Sequence, residues 1–207
     1  MHEFRMNLHA VTPLYVAGSD PKSPEFRAPS LKGLLRFWYR AADPEFNRSP
    51  EEVRGATSRE SGAPGGGNGN HGLPSREATW FGAAGTGGGQ CPFLLRVDPP
   101  NPGPVEPWDW DEALVARFDE GRGRETKNGI RYFAQMALRN RRAIPPGSKF
   151  VVRALWPRQS VPAARRAFLG AAWLATHFGG IGTRSRRGFG SLCLETWEPG
   201  RGDWSDV

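Results

Sequence analysis

The chain has 207 residues, 38% of them hydrophobic, and 28 Lys+Arg against 21 Asp+Glu give a formal net charge of +7. That length fits one domain, or one domain with a long insertion, and eight tryptophans and twelve phenylalanines supply a real core. No run approaches 18 consecutive apolar residues and Met1–Val11 has no signal-peptide core, which excludes a transmembrane helix and points to a cytoplasmic protein without a membrane partner.

Among the cations only Lys22, Lys32, Lys127 and Lys149 are lysines. The guanidinium fork suits phosphate and carboxylate. A basic domain most often meets nucleic acid, with an anionic membrane surface as the rival. The two cysteines, Cys91 and Cys193, fall in expected strands and read as reduced, buried thiols.

In chain order, Phe4, Met6, Leu8 and Ala10 alternate with polar residues, a first strand with one buried face. Thr12 to Pro29 is rich in proline and turn residues and reads as a loop. Ser30 is placed to cap a helix. Leu31, Leu34, Leu35, Trp38, Tyr39 and Ala42 then fall at helical spacing, with Lys32, Arg36 and Arg40 one turn apart on the other face. Gly33 weakens that helix, which suggests close approach of backbone or ligand. Gly62 to Gly72 cannot build a core and is expected to be disordered. Trp80 and Phe81 read as anchors. Phe93, Leu95 and Val97 form a second strand, Pro99 to Pro107 a rigid connection, and Asp109 to Glu120 a short helix. Arg117 to Arg142 holds eight Lys+Arg against three acids. After the turn at Pro145-Pro146-Gly147-Ser148, Phe150, Val152, Ala154 and Trp156 alternate as a third strand. Ser160 is placed to cap a helix from Pro162 to His177 that buries Phe168, Ala171, Ala172 and Ala175. A last strand runs over Ser191 to Trp197, and Gly200 to Val207 is expected to fray.

Between the last helix and strand lies Gly179-Gly180-Ile181-Gly182-Thr183-Arg184-Ser185-Arg186-Arg187-Gly188-Phe189-Gly190, with five glycines and three arginines in twelve residues. Glycine permits positive φ and close approach. Arginine supplies multidentate donors for phosphate. A phosphate-backbone site is the sharper expectation, an ordinary basic loop the plainer one. The order strand, helix, strand, strand, helix, strand is the α+β, ferredoxin-like βαββαβ plan. One domain over about 1–198 then carries a glycine-rich insertion near 55–76 and a basic insertion near 108–145, with 199–207 as a polar tail.

Three separated segments carry a resemblance. They are Thr12-Pro13-Leu14-Tyr15-Val16-Ala17-Gly18 with Phe26 through Arg40, then Trp80-Phe81-Gly82 with Gly129-Ile130-Arg131-Tyr132, and Phe178 through Gly190. Together they resemble the RAMP superfamily of CRISPR effector proteins, and within it the first subunits of the type III-B Cmr complex. The Arg-Ala-Pro-Ser before the helix, and the Lys-Gly and Arg-x-Trp within it, match that subunit family. The resemblance implies a ferredoxin-like, RRM-related subunit that contacts guide RNA (crRNA) and paired target RNA. It implies other RAMP subunits as partners and a cap at one end of a protein filament near the 3′ side of the guide. Members usually carry two such units, and this chain has room for one.

Candidate RNA contacts are Ser30, Lys32, Arg36 and Arg40 at the first helix, and Arg131 with Arg139, Arg141 and Arg142. Gly180, Gly182, Thr183, Arg184, Ser185, Arg186, Arg187 and Gly188 complete the set. Lys32, Arg36 and Arg40 read as a phosphate track beside the loop, or as a solvated face. The three loop arginines cannot all point one way, so one is expected to pair with an acid inside the domain. Tyr132 and Phe133 read as stacking groups or as core. Catalysis has weaker candidates. Asp20 stands alone, and His9 and His177 lack the paired base and acid that RNA cleavage needs. No cofactor or metal motif is present: no Walker, HExxH or CxxC spacing occurs. An endoribonuclease and a purely protein-facing scaffold, with Phe37 as an anchor, stand as alternatives.

Overall fold

The computed structural model describes residues 1–20, 23–44, 46–47, 76–83, 89–98 and 141–205. The alternating start forms β1 (His2–Ala10), central in a four-stranded sheet with β2 (Leu94–Asp98), β3 (Lys149–Trp156) and β4 (Leu192–Pro199). Strand order is β2-β3-β1-β4, and every neighbouring pair is antiparallel. Met6 lies opposite Val152 and Leu8 opposite Phe150, while Val97 lies opposite Val152, so the apolar sets of three strands fall on one face. A one-residue slip would turn each set to the other side.

In β4 the alternation does not run through. Asn7 faces Thr196 but Leu8 faces Leu194, so Glu195 is the extra residue of a β-bulge. Trp197 rather than Thr196 therefore lies opposite Met6 and packs edge-on against Phe4 at 5.1 Å.

Helices α1 (Ala28–Ala42), α2 (Arg76–Phe81) and α3 (Pro162–His177) pack on the apolar face. Neither expected serine cap forms. Arg27 and Val161 occupy the cap positions, and Pro29 and Pro162 stand in the first turns. Proline's fixed φ suits a first turn, so each helix starts around its proline. Ser30 thus lies inside α1, and the Ser160 hydroxyl accepts from Arg165 Nη1 at 3.0 Å. At the other end of α1 the Asn47 amide donates to the carbonyls of Arg40, Ala41 and Asp43, which a helix end leaves open. Leu31 and Leu35 are buried as the pattern predicts, whereas Ala42 is exposed. Helix α3 buries the four expected residues, and Ala164 and Arg165 besides.

Aromatic side chains join the layers. Phe81, Phe93, Phe168 and Trp156 meet in sequence at 5.0–5.9 Å between ring centroids. Phe81 and Trp80 thus serve as anchors, Phe81 fully buried. The tail is not frayed at Trp204, whose ring packs on Phe4 and Trp156, with the buried Arg165 guanidinium 5.4 Å above it. Burying a tryptophan offsets the entropy of ordering a few tail residues.

The opposite sheet face holds ion pairs, Arg96–Asp98 at 2.6 Å, Arg153–Asp98 at 2.9 Å and Lys149–Glu195 at 3.0 Å. Cys193 lies in β4, but Cys91 precedes β2 rather than lying in a strand; both are free and half-buried. Among the described residues no helix is long and apolar enough to cross a membrane. The sequence-based expectations at 62–72, 99–107 and 109–120, and those for Arg131, Tyr132, Phe133 and Arg139, lie outside the described residues.

Candidate nucleic-acid interface

Antiparallel pairing sets Ala10 of β1 opposite Leu192 of β4, and His9 opposite Lys149 of β3. The end of β1 and the starts of β3 and β4 therefore lie together. Three connections meet there: 11–27, 141–148 and 178–191.

Backbone bonds knit them. Leu14 and Ile144 exchange both N–H···O bonds at 3.0 Å, Gly190 N donates to Pro13 O at 3.0 Å, and Thr183 N donates to Tyr15 O at 3.0 Å. Inside the loop, Ile181 N donates to Gly190 O at 2.8 Å. Phe189 packs edge-on against Tyr15 at 5.5 Å. Arg141 Nη1 donates to Thr183 Oγ1 at 3.0 Å, so one cation of the preceding basic segment is tied to the loop.

Two glycines show why the motif is glycine-rich. Gly190 has φ +75°, and a Cβ there would stand 2.0 Å from Ile181 O. Gly182 has φ +90°, and its Cβ would stand 2.5 Å from Tyr15 O. The loop's close seat on Tyr15 and Val16 needs Gly182, and its closure on itself at Ile181 needs Gly190. Arg184 is the one non-glycine with positive φ among the described residues, at 63°, and opens a single 3-10 turn, Ser185–Arg187.

Arg186 and Arg187 are exposed and Arg184 half-exposed. The expected internal acid is not met: among the described residues no carboxylate pairs with any of the three. Asp20 accepts from the Ser23 hydroxyl at 2.8 Å, and Glu195 pairs with Lys149. Gly180 packs against Ser185, and Gly188 has open space where a side chain would stand.

The basic stripe of α1 is placed differently from the expected track. Glu77 on α2, 5% exposed at its side chain, accepts from Arg36 Nε, from Arg40 Nε at 2.7 Å and from Arg40 Nη2 at 2.7 Å. Burial pushes the Glu77 carboxyl up, but the bonds from Arg40 and Arg36 outweigh it and keep it below the ordinary range. The same bonds raise Arg40. Beside them, burial and then the bond to Asp43 push the Tyr39 hydroxyl well up. Trp38 faces the other way, toward Phe178 and Gly179. Two positions along a helix are about 200° around it, so Arg36 and Arg40 lie across α1 from that contact. Among the described residues no carboxylate pairs with Lys32. At Gly33 no atom beyond the helix's own backbone lies within 4 Å of a Cβ among the described residues, so the expected close approach is not made by any of them.

The three catalytic candidates are held separately. His9 Nδ1 lies 3.2 Å from Glu195 Oε1 in the bulge. His177 Nδ1 lies 2.7 Å from Trp173 O, and its ring stacks on Trp173 at 4.4 Å. Asp20 closes a turn, with Ser23 N donating to its carbonyl at 3.2 Å. Among the described residues no group of three or more His, Cys, Asp or Glu could hold a metal ion.

Sequence reasoning missed Glu77 and Arg165. Glu77 is 41 residues from Arg36 and 37 from Arg40, with no local spacing to reveal the triad. Arg165 falls at a core position of α3, and that phase was the available signal.

Comparison with known proteins adds the following. The family model described as the RAMP superfamily matches residues 7–193. A curated protein, "CRISPR system Cmr subunit Cmr1-2" of Pyrococcus furiosus, is 49% identical over 41 residues, 20% of this chain and 22% of that protein. The crystal structure of apo Cmr1 from Pyrococcus furiosus superposes with a TM-score of 0.54 at 20% identity, covering 96% of this chain and 50% of that one. A chain of a type IV-B CRISPR complex superposes with a TM-score of 0.51 at 13% identity, covering 95% and 90%. The chain thus spans about half the length of the solved Pyrococcus protein, and at such identities the superpositions speak to fold.

Proposed function

The chain belongs to the RAMP superfamily, and from that membership we propose that it is a non-catalytic RNA-binding subunit of a type III-B CRISPR ribonucleoprotein. It binds the backbone of the guide RNA near its 3′ side and caps the protein filament, with paired target RNA and other RAMP subunits as its partners. The fold is read as ferredoxin-like: two strand–helix–strand units, β1-α1-β2 and β3-α3-β4, interleave so that β3 and β1 are central.

One observation carries this reading. The glycine-arginine loop is fastened by backbone bonds to 13–15, while Arg184, Arg186 and Arg187 have no carboxylate partner among the described residues. A rigid loop with unpaired guanidiniums recognises phosphate without reading bases. That suits an RNA whose specificity comes from pairing. The open sheet face supports the same division. Among the described residues it presents no Phe, Tyr or Trp, so the base-stacking platform of an RRM sheet is missing and the loops take the contact.

The test is binding of a guide RNA of about 40 nucleotides across a salt series, where affinity falls steeply as counterions are no longer released. Replacing Arg184, Arg186 and Arg187 together by alanine weakens binding to unrelated RNA sequences alike and lowers the salt slope by about 2. A folded triple variant with wild-type affinity refutes the assignment.

A further inference from the structure

Arg141 and Thr183 lie 42 residues apart in sequence and meet at the glycine-arginine loop. The bonding of segment 13–15 explains how. Leu14 uses both its backbone groups on Ile144, whereas Pro13 O and Tyr15 O accept from Gly190 N and Thr183 N. Along extended backbone, successive residues turn their polar groups to opposite sides. Segment 13–15 therefore lies between 141–144 and the loop, and the Arg141 side chain crosses it to reach Thr183 Oγ1 at 3.0 Å.

The acceptor decides what this arginine can do. Arg36 and Arg40 are held by the buried Glu77 carboxylate, which offsets their charge where it stands. A hydroxyl carries no charge, so Thr183 fixes the Arg141 guanidinium without neutralising it. The bond uses one Nη1–H and, among the described residues, leaves the rest of the guanidinium fork open. Thr183 is itself fixed, because its backbone N–H is bonded to Tyr15 O at 3.0 Å. Holding a donor in place before the ligand arrives removes part of the ordering cost of binding.

Charge accumulates around that point. Arg141 and Arg142 are exposed, as are Arg186 and Arg187, and Arg184 follows Thr183 directly. Among the described residues no carboxylate pairs with any of these arginines. Gathering like charges is unfavourable in the free protein and favourable toward an anion that spans them. A single phosphate cannot engage guanidiniums spread over both sides of segment 13–15; a strand of successive phosphates can.

We propose that Arg141, positioned by Thr183, and its neighbour Arg142 belong to the same phosphate site as the loop arginines. One RNA strand then passes over segment 13–15, from the loop onto 141–142. The proposal rests on the reading of the loop as a phosphate-binding element and extends that site to a second chain segment.

The test titrates the full chain with a guide RNA of about 40 nucleotides across a salt series. Arg141→Gln with Arg142→Gln lowers the salt slope by about 1.4. Added to the alanine triple at Arg184, Arg186 and Arg187, it lowers the slope by about 3.5 in all. Thr183→Val removes the hydroxyl and keeps the backbone bond. It weakens binding about threefold or more when Arg141 is present and has no effect in Arg141→Gln. A double variant with the wild-type slope, beside a weakened loop triple, overturns this proposal and spares the loop. A loop triple with wild-type affinity removes the reading on which it rests. A double variant that melts lower yet keeps the wild-type slope makes Arg141 a structural strut and overturns the proposal too. So does equal weakening by Thr183→Val in both backgrounds. Loss of polyglutamate binding at an unchanged RNA slope would replace the strand with an acidic protein.

Discussion

Alanine at Gly188 and at Gly190 separates backbone strain from steric exclusion within one loop. Both glycines have positive φ, +85° and +75°. Among the described residues Gly188 has nothing within 4 Å of a Cβ, so the methyl adds only the left-handed backbone cost of roughly 1–2 kcal/mol. Part of that is recovered because alanine restricts the unfolded chain, leaving about 1 kcal/mol. At Gly190 the methyl would stand 2.0 Å from Ile181 O, a backbone atom that cannot swing aside. The loop must open there, losing Ile181 N to Gly190 O and Gly190 N to Pro13 O, each bond contributing about 1 kcal/mol. Gly190→Ala is therefore expected to cost about 3–4 kcal/mol. For a chain of this size 1 kcal/mol is about 2–4 °C, so Tm falls by about 2–4 °C for Gly188→Ala and by about 10 °C for Gly190→Ala. Gly182→Ala, with Tyr15 O at 2.5 Å, falls between them. Thermal melts followed by circular dichroism and by tryptophan fluorescence read the series. Equal shifts for Gly188→Ala and Gly190→Ala, or a neutral Gly190→Ala, would refute the close approach of Gly190 to Ile181 that closes this loop.

Glu77→Gln keeps the shape of the carboxyl and removes its charge. With Glu77 buried but Arg36 and Arg40 a third to a half exposed, the loss is discounted from that of a fully buried pair to about 2 kcal/mol at neutral pH. Because the folded-state pKa of Glu77 is depressed, its contribution is complete above the unfolded value and disappears as pH falls through the folded one. Urea unfolding should show the gap between wild type and Glu77→Gln closing in acid; a gap that persists there, or none at neutral pH, contradicts the assignment. Arg184→Gly relieves the left-handed residue while removing a guanidinium. Stability stays level or rises by up to about 1 kcal/mol, and the RNA salt slope falls by about 0.7. A destabilised variant with unchanged RNA affinity would reverse both roles.

Much of this protein could be read along the chain because its signals are local. Period-two alternation located β1 and β3, and 3.6-residue spacing picked out Leu31 and Leu35 of α1 and the alanine face of α3. The twelve-residue loop declared itself by composition, since positive φ and close backbone approach leave glycine as the residue that fits. Where two local preferences competed, propensity misled: Ser30 and Ser160 are good caps, yet the neighbouring prolines set the helix starts. What tertiary structure alone decided is which distant groups meet. Arg36 and Arg40 read as free phosphate donors until the fold set Glu77 between them. Glu195 became a bulge because β1 and β4 pair out of step, and the tail was held by Trp204 finding Phe4 and Trp156. Phe37 and Trp38 are adjacent aromatics of one helix, but only the packing of α3 leaves the first exposed and turns the second against Phe178. Periodicity assigns a residue to a face; what that face meets is settled by chain segments tens of residues away, joined through contacts that no short-range pattern encodes.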